Sequence, residues 1–126
     1  MSERGCIRVL IVDDEPLVRV TLVRAFGRQR DFDVVGEAED GEEAVRLVQE
    51  IEPDVIVMDV QMPKLSGLEA TVKLRAMGID TPILFLTADT NASKQTERLR
   101  HVSLLLKADV GIAETVAAVR DAATGG

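Results

Sequence analysis

Ile7-Arg8-Val9-Leu10-Ile11-Val12-Asp13-Asp14-Glu15-Pro16, residues 7–16, is the stretch on which the fold turns. Its first six residues read as a strand, and that strand stops at the aspartate pair. Glu15-Pro16 then starts a helix, because proline suits the first helical turn, where its missing N–H costs nothing. Val18, Leu22, Ala25 and Phe26 follow at helical spacing and fall on one face. Ten residues therefore carry the chain from a buried strand, through a pair of carboxylates, into an amphipathic helix.

The same unit recurs along the chain. Asp33–Ala38 reads as a second strand, shorter and more polar than the first, as suits a sheet edge. Gly41–Ile51 is a helix with Ala44, Val48 and Ile51 aligned, and Pro53 bars its continuation. Val55–Met58 is a third strand ending at Asp59, followed by a loop over Val60–Ser66 and a helix over Gly67–Met77 that Gly78 stops. Pro82–Leu86 is a fourth strand ending at Thr87. Asn91–Arg100 reads as a polar fourth helix with only Ala92 and Leu99 apolar. Leu104–Leu106 is a fifth strand ending at Lys107, and Ile112–Ala123 a last helix with Ile112, Val116, Val119 and Ala123 on one stripe. Five βα units in succession predict an α/β fold, a parallel sheet with helices on both faces. Val9–Val12, Val55–Met58 and Ile83–Leu86 are apolar without a break, as strands covered on both faces must be.

Composition narrows the function classes. The 126 residues fit one domain, and 46% hydrophobic residues exclude disorder. Three phenylalanines are the only aromatics, so the core is aliphatic. A net charge of −7 argues against this domain gripping a phosphate backbone by itself. The single cysteine, Cys6, allows no internal disulfide and points to a reducing, cytoplasmic setting. No run of 18 apolar residues exists to span a membrane.

In a sheet of this kind, function sits at the carboxyl ends of the strands. The polar residues met there are Asp13, Asp14, Asp59, Thr87 and Lys107. If the first and third strands are neighbours, their tips lie about 5 Å apart and the three aspartates share one small volume. Carboxylates so close repel, and without a partner one of them has its pKa raised. A hard divalent cation with oxygen ligands, Mg²⁺, resolves the repulsion. Lys107, about 10 Å away by strand spacing, can reach into the cluster along its four-carbon stem. Thr87 adds a hydroxyl donor. Such a cluster can take a phosphoryl group on Asp59 as nucleophile, with Mg²⁺, Lys107 and Thr87 each holding negative charge on the phosphoryl oxygens.

At these residues the chain resembles the receiver domains of bacterial two-component response regulators. The resemblance rests on Asp13-Asp14, Asp59, Met62-Pro63, Gly67, Thr87-Ala88 and Lys107, in order and at domain-wide spacing. It implies a flavodoxin-like (βα)5 doubly wound sheet with strand order 2-1-3-4-5. It also implies phosphotransfer from a phosphohistidine on a sensor histidine kinase to Asp59. The implied metal contacts are Asp14 and Asp59 through carboxylates, Gln61 through its backbone carbonyl, and Asp13 partly through water. Gln61 and Asp89 stand where the family tunes the lifetime of the phosphorylated state. Val35-Gly36-Glu37-Ala38, Gly41-Glu42-Glu43-Ala44 and Leu104-Leu105-Leu106-Lys107 look most like the NarL-type transcription regulators. Those carry a helix-turn-helix output domain, so contact with DNA is expected only through a domain not present in residues 1–126. The expected partners are the kinase, an output domain and a second copy in a homodimer, with a stand-alone receiver acting by protein contact as the alternative.

Three departures stand out. Leu104 occupies a position usually aromatic in the family, which puts the usual inward swing of a ring in question. Ala108 replaces a frequent proline, and Arg100–Ser103 lacks the usual Gly-Ala. With the polar fourth helix, these predict a rearranged output face. Other classes fit less well. Phosphatases with an aspartate nucleophile usually place a second aspartate two residues on, where this chain has Gln61. A flavin-binding domain of the same fold needs a Ser/Thr/Gly-rich phosphate loop where Asp-Asp-Glu-Pro stands. Alone, the Asp13-Asp14 pair would be a helix cap and Lys107 a solvated side chain. His101 reads as a surface residue, and Lys94, Arg98 and Arg100 as a solvated helix face.

Overall fold

A computed structural model describes residues 6–88, 92–96, 99–107 and 111–125. Five parallel strands, β1 (Ile7–Val12), β2 (Phe32–Ala38), β3 (Val55–Met58), β4 (Ile83–Thr87) and β5 (Val102–Leu106), form one sheet in the order β2-β1-β3-β4-β5. The helices are α1 (Pro16–Gly27), α2 (Gly41–Ile51), α3 (Gly67–Ala76), α4 (Ala92–Thr96) and α5 (Ile112–Thr124). The strand order reverses between β1 and β3, so the rim there is the switch point where a ligand cleft is expected.

Alternation within the strands divides the core into two layers. Leu10, Val12, Ile56, Met58, Ile83 and Phe85 face α2 and α3. Val9, Ile11, Val55, Val57, Leu84 and Leu86 face α1 and α5. Every residue of β3 is buried, because it is central and covered on both sides. Leu104 sits opposite Phe85 in the β4–β5 register and packs into the α2/α3 layer.

The differences from the expected bounds have physical reasons. β2 is an edge strand as expected but is not the shorter one. It starts at Phe32, which pairs with Ile7 and packs edge-on to Phe26, with ring centroids 4.8 Å apart. β4 starts one residue later than expected and takes in Thr87, which pairs with Leu106. β5 starts two residues earlier than its apolar run, because the backbone of Val102 and Ser103 pairs with Ile83 and Leu84 whatever their side chains. α3 ends at Ala76, with Met77 as cap and Gly78 in the left-handed conformation at φ 81°. α4 spans five described residues rather than ten, with Ala92 and Thr96 buried one turn apart. The expectations for Asp89, Arg98 and Ala108 lie outside the described residues.

Candidate functional site at the carboxyl rim

Sheet pairing carries on past the strand ends and fixes the backbone of the site. The Asp13 N–H donates to the Ala38 carbonyl at 3.1 Å, and the Asp59 N–H to the Val12 carbonyl at 3.1 Å. On the other side, the Lys107 N–H donates to the Thr87 carbonyl at 2.8 Å. Asp13, Asp59, Thr87 and Lys107 thus start from backbone held by the pairing of the sheet itself.

The three aspartates meet. One carboxylate oxygen from each of Asp13, Asp14 and Asp59 lies within 4.8 Å of the others. Asp13 and Asp59 are buried, at 1% and 7% exposure, while Asp14 is exposed at the cleft mouth. Lys107 Nζ lies 3.0 Å from Asp59 Oδ2 and 3.3 Å from Asp13 Oδ2. The remaining oxygens of the two buried carboxylates accept backbone donors. Asp59 Oδ1 takes the Gln61 N–H at 3.3 Å, and Asp13 Oδ1 takes the Glu15 N–H at 2.9 Å. Asp14, Glu15, Asp59, Gln61, Thr87, Ala88 and Lys107 line one solvent-open cleft. Thr87 and Gln61 therefore share the cleft with the nucleophile candidate.

Burial pushes the Asp13 carboxyl above the usual carboxylate range, and the nearby Asp59 charge adds to the push. The Glu15 amide and the Lys107 ammonium oppose that shift only in part. Burial also works against the charge on Lys107, but its bonds and attractions to Asp59 and Asp13 outweigh it, so its pKa is raised and it stays a cation. One ammonium among three carboxylates leaves the rim with a surplus of negative charge. The donor set is oxygen only, which suits a hard cation such as Mg²⁺ and not the softer metals.

Three residues not expected from sequence also belong to the site. Glu15 places Oε1 3.5 Å from Lys107 Nζ. Arg19 donates from Nη1 to the Asp13 carbonyl at 2.7 Å while its Nε lies 3.3 Å from Glu37. Gly41 touches the loop that carries Gln61. Adjacency to the aspartate pair could have flagged Glu15, and the four-residue step from Glu15 could have flagged Arg19. Nothing local marks Gly41, because its partner is distant in sequence.

The fold and site match known proteins. A family model described as the response regulator receiver domain matches residues 9–117. Response regulator GacA of Pseudomonas viridiflava is 38% identical over 115 residues, 90% of this chain and 54% of that protein. Transcriptional regulatory protein LiaR of Bacillus subtilis is 40% identical over 121 residues, 94% of this chain and 57% of that protein. The signal receiver domain of the NarL response regulator from Mycobacterium tuberculosis superposes with a TM-score of 0.87 at 34% identity, covering 97% of this chain and 99% of that one. The chain spans about half the length of the curated relatives it matches.

Proposed function

The chain belongs to the response regulator receiver domain family of two-component systems, and from its site we propose that it is a phosphorylation switch in which Asp59 accepts a phosphoryl group. The observation that carries the proposal is Lys107 Nζ held 3.0 Å from Asp59 Oδ2 at the rim where three carboxylates converge. Structural ion pairs do not need two further carboxylates beside them. A site built to hold a cation beside a dianionic phosphoryl group does.

Asp13, Asp14 and Asp59, with the Gln61 carbonyl, would hold Mg²⁺, which supplies charge neutralisation for the incoming phosphoryl oxygens. An Asp59 carboxylate oxygen attacks the phosphorus of a phosphohistidine. The new P–O bond forms as the P–N bond breaks, and the imidazole leaves to take up a proton. Lys107, already a cation in the unmodified site, moves from the carboxylate to a phosphoryl oxygen. The Thr87 hydroxyl donates to another. Each contact is stronger to the transferring group than to the resting carboxylate, which is the condition for accelerating transfer.

The partners follow from the same reading. The phosphodonor is a sensor histidine kinase, and the output is a domain or protein whose association with the receiver differs between the two states. Similarity to LiaR, a transcriptional regulatory protein by name, supports transcription as the regulated process, through DNA contacts made by an output domain. Gln61 cannot act as the acid/base of a phosphatase, which weighs against a turnover enzyme acting on phosphomonoesters.

Incubating the protein with a low-molecular-weight phosphoramidate and Mg²⁺ should add one phosphoryl group, seen as a mass shift. Asp59→Asn should remove that shift while leaving the far-ultraviolet spectrum unchanged. Labelling retained in Asp59→Asn would reject Asp59 as the acceptor.

A further inference from the structure

We infer that the Asp40-Gly41 corner at the start of α2 is a positioning element for the site, holding the β3–α3 loop so that the Gln61 carbonyl faces the cation. This rests on the cation reading above. The loop Val60–Ser66 is held at two places. At its base, the Gly67 N–H donates to the Val60 carbonyl at 2.7 Å, and a Cβ at Gly67 would stand 2.1 Å from the carbonyl oxygen of Asp59 itself. At its far side, the Gly41 N–H donates to the Leu65 carbonyl at 3.0 Å. A Cβ on Gly41 would stand 2.1 Å from that same oxygen and 2.8 Å from its carbon. Backbone cannot rotate away as a side chain can, so a methyl group at position 41 must displace the loop or the helix.

The helix is the heavier anchor. Ala44, Val45 and Val48 of α2 are buried in the core, at 1%, 7% and 2% exposure. Interiors packed to this density transmit a displacement rather than absorb it. The buried Asp40 carboxylate makes the corner a defined stop. Its Oδ1 accepts the Glu43 N–H at 2.8 Å as the helix cap, and its Oδ2 lies 3.6 Å from Lys64 Nζ. Lys64 is left-handed at φ 65°, and Leu65 folds back through its N–H onto the Pro63 carbonyl at 2.8 Å. Gln61 lies between the two fixed points, with its own N–H on Asp59 Oδ1. Gly41 has no positive φ, so glycine serves close approach here and not backbone conformation. The helix taken alone would favour alanine.

Mg²⁺ affinity tests the inference, read by calorimetry or amide chemical shifts because the chain has no tryptophan or tyrosine. Gly41→Ala should weaken Mg²⁺ binding about tenfold or more, the scale of lost outer-shell support. Amide shifts should change across residues 60–66. Two controls should bind Mg²⁺ as the wild type does. Gly27→Ala adds a methyl group into open space, and Val119→Ala destabilises a buried site on α5, in the layer across the sheet from the loop. In the wild type, reciprocity requires Mg²⁺ to slow exchange of the Gly41 amide, because binding fixes its acceptor. Gly41→Ala binding within about twofold of wild type would overturn the inference, since loss of outer-shell support costs more than that. If that variant does not fold, unchanged exchange of the wild-type Gly41 amide on adding Mg²⁺ overturns it equally. Failure of the wild type to bind Mg²⁺ would remove the cation site and this inference together. The other two results remove only the role of the corner.

Discussion

The two rims of this sheet handle charge in opposite ways. At the amino rim, guanidinium groups meet matched acceptors. Arg8 donates to the Ile51 and Glu52 carbonyls and so closes the end of α2. Arg75 donates to the carbonyls of Ile79, Thr81, Arg100 and His101, tying the turns that enter β4 and β5. Arg120 pairs with Asp31 through two bonds and stands 5.4 Å over the Phe32 ring. At the carboxyl rim, three aspartates cluster beside one lysine, which pairs with two of them. Matched donors and acceptors at one end serve folding. Surplus negative charge at the other works against folding, and on the function proposed above a cation offsets it.

If that contrast holds, substitutions at the two rims separate stability from binding. The largest stability effect is expected at Arg75. Arg75→Ala leaves four carbonyls without their shared donor and should cost about 2–3 kcal/mol in urea unfolding. Its Mg²⁺ affinity should match the wild type. A tenfold loss of Mg²⁺ affinity in Arg75→Ala would break the contrast.

Asp13→Asn should act in the reverse direction. Burial favours the protonated form of Asp13 in the folded state. Its contribution to stability is therefore complete below its unfolded pKa and is lost as pH rises through the raised folded value. With chelator present at neutral pH, Asp13→Asn should be about 1 kcal/mol more stable than wild type. It should also bind Mg²⁺ about tenfold more weakly, because one ligand charge is gone. A destabilised metal-free Asp13→Asn would show that the rim charges are matched after all.

The smallest effect is expected at the exposed pair Arg120–Asp31. The bond from Arg120 holds the Asp31 carboxyl below its usual value. Its stabilisation is present above the unfolded carboxylate pKa and is lost as pH falls through the lower folded one. Solvent screening limits the pair to about 1 kcal/mol or less, so Arg120→Ala should lower stability by that much at neutral pH. The deficit relative to wild type should shrink on acidification below about pH 4, where the unfolded carboxylate titrates. An equal deficit at every pH would assign the loss to the Phe32 contact alone.

Much of this was legible in residue order. Val55–Met58 is apolar at every position because both layers claim it, and a strand of that kind has one place, the middle of a parallel sheet. A polar residue at its tip, repeated at the ends of β1, β4 and β5, marks the rim where Asp13, Asp14 and Asp59 come together. Other features depend on contacts between distant segments. Phe32 joins β2 through Phe26, and Ser103 joins β5 through Leu84, so neither strand start shows in local pattern. α4 has too few apolar residues for periodicity to set its end. Arg75 reads as one more charged helical residue until the turns entering β4 and β5 bring their carbonyls to it. Gly41 has meaning only beside Leu65.

Borohydride trapping tests the central claim most directly. The protein is treated with a phosphoramidate in Mg²⁺ or in chelator, then reduced, which converts an aspartyl phosphate to homoserine, and the chain is mapped by peptide mass. The account predicts homoserine at position 59 with Mg²⁺ and none in chelator. Homoserine at another aspartate, or equal conversion without the cation, would contradict it.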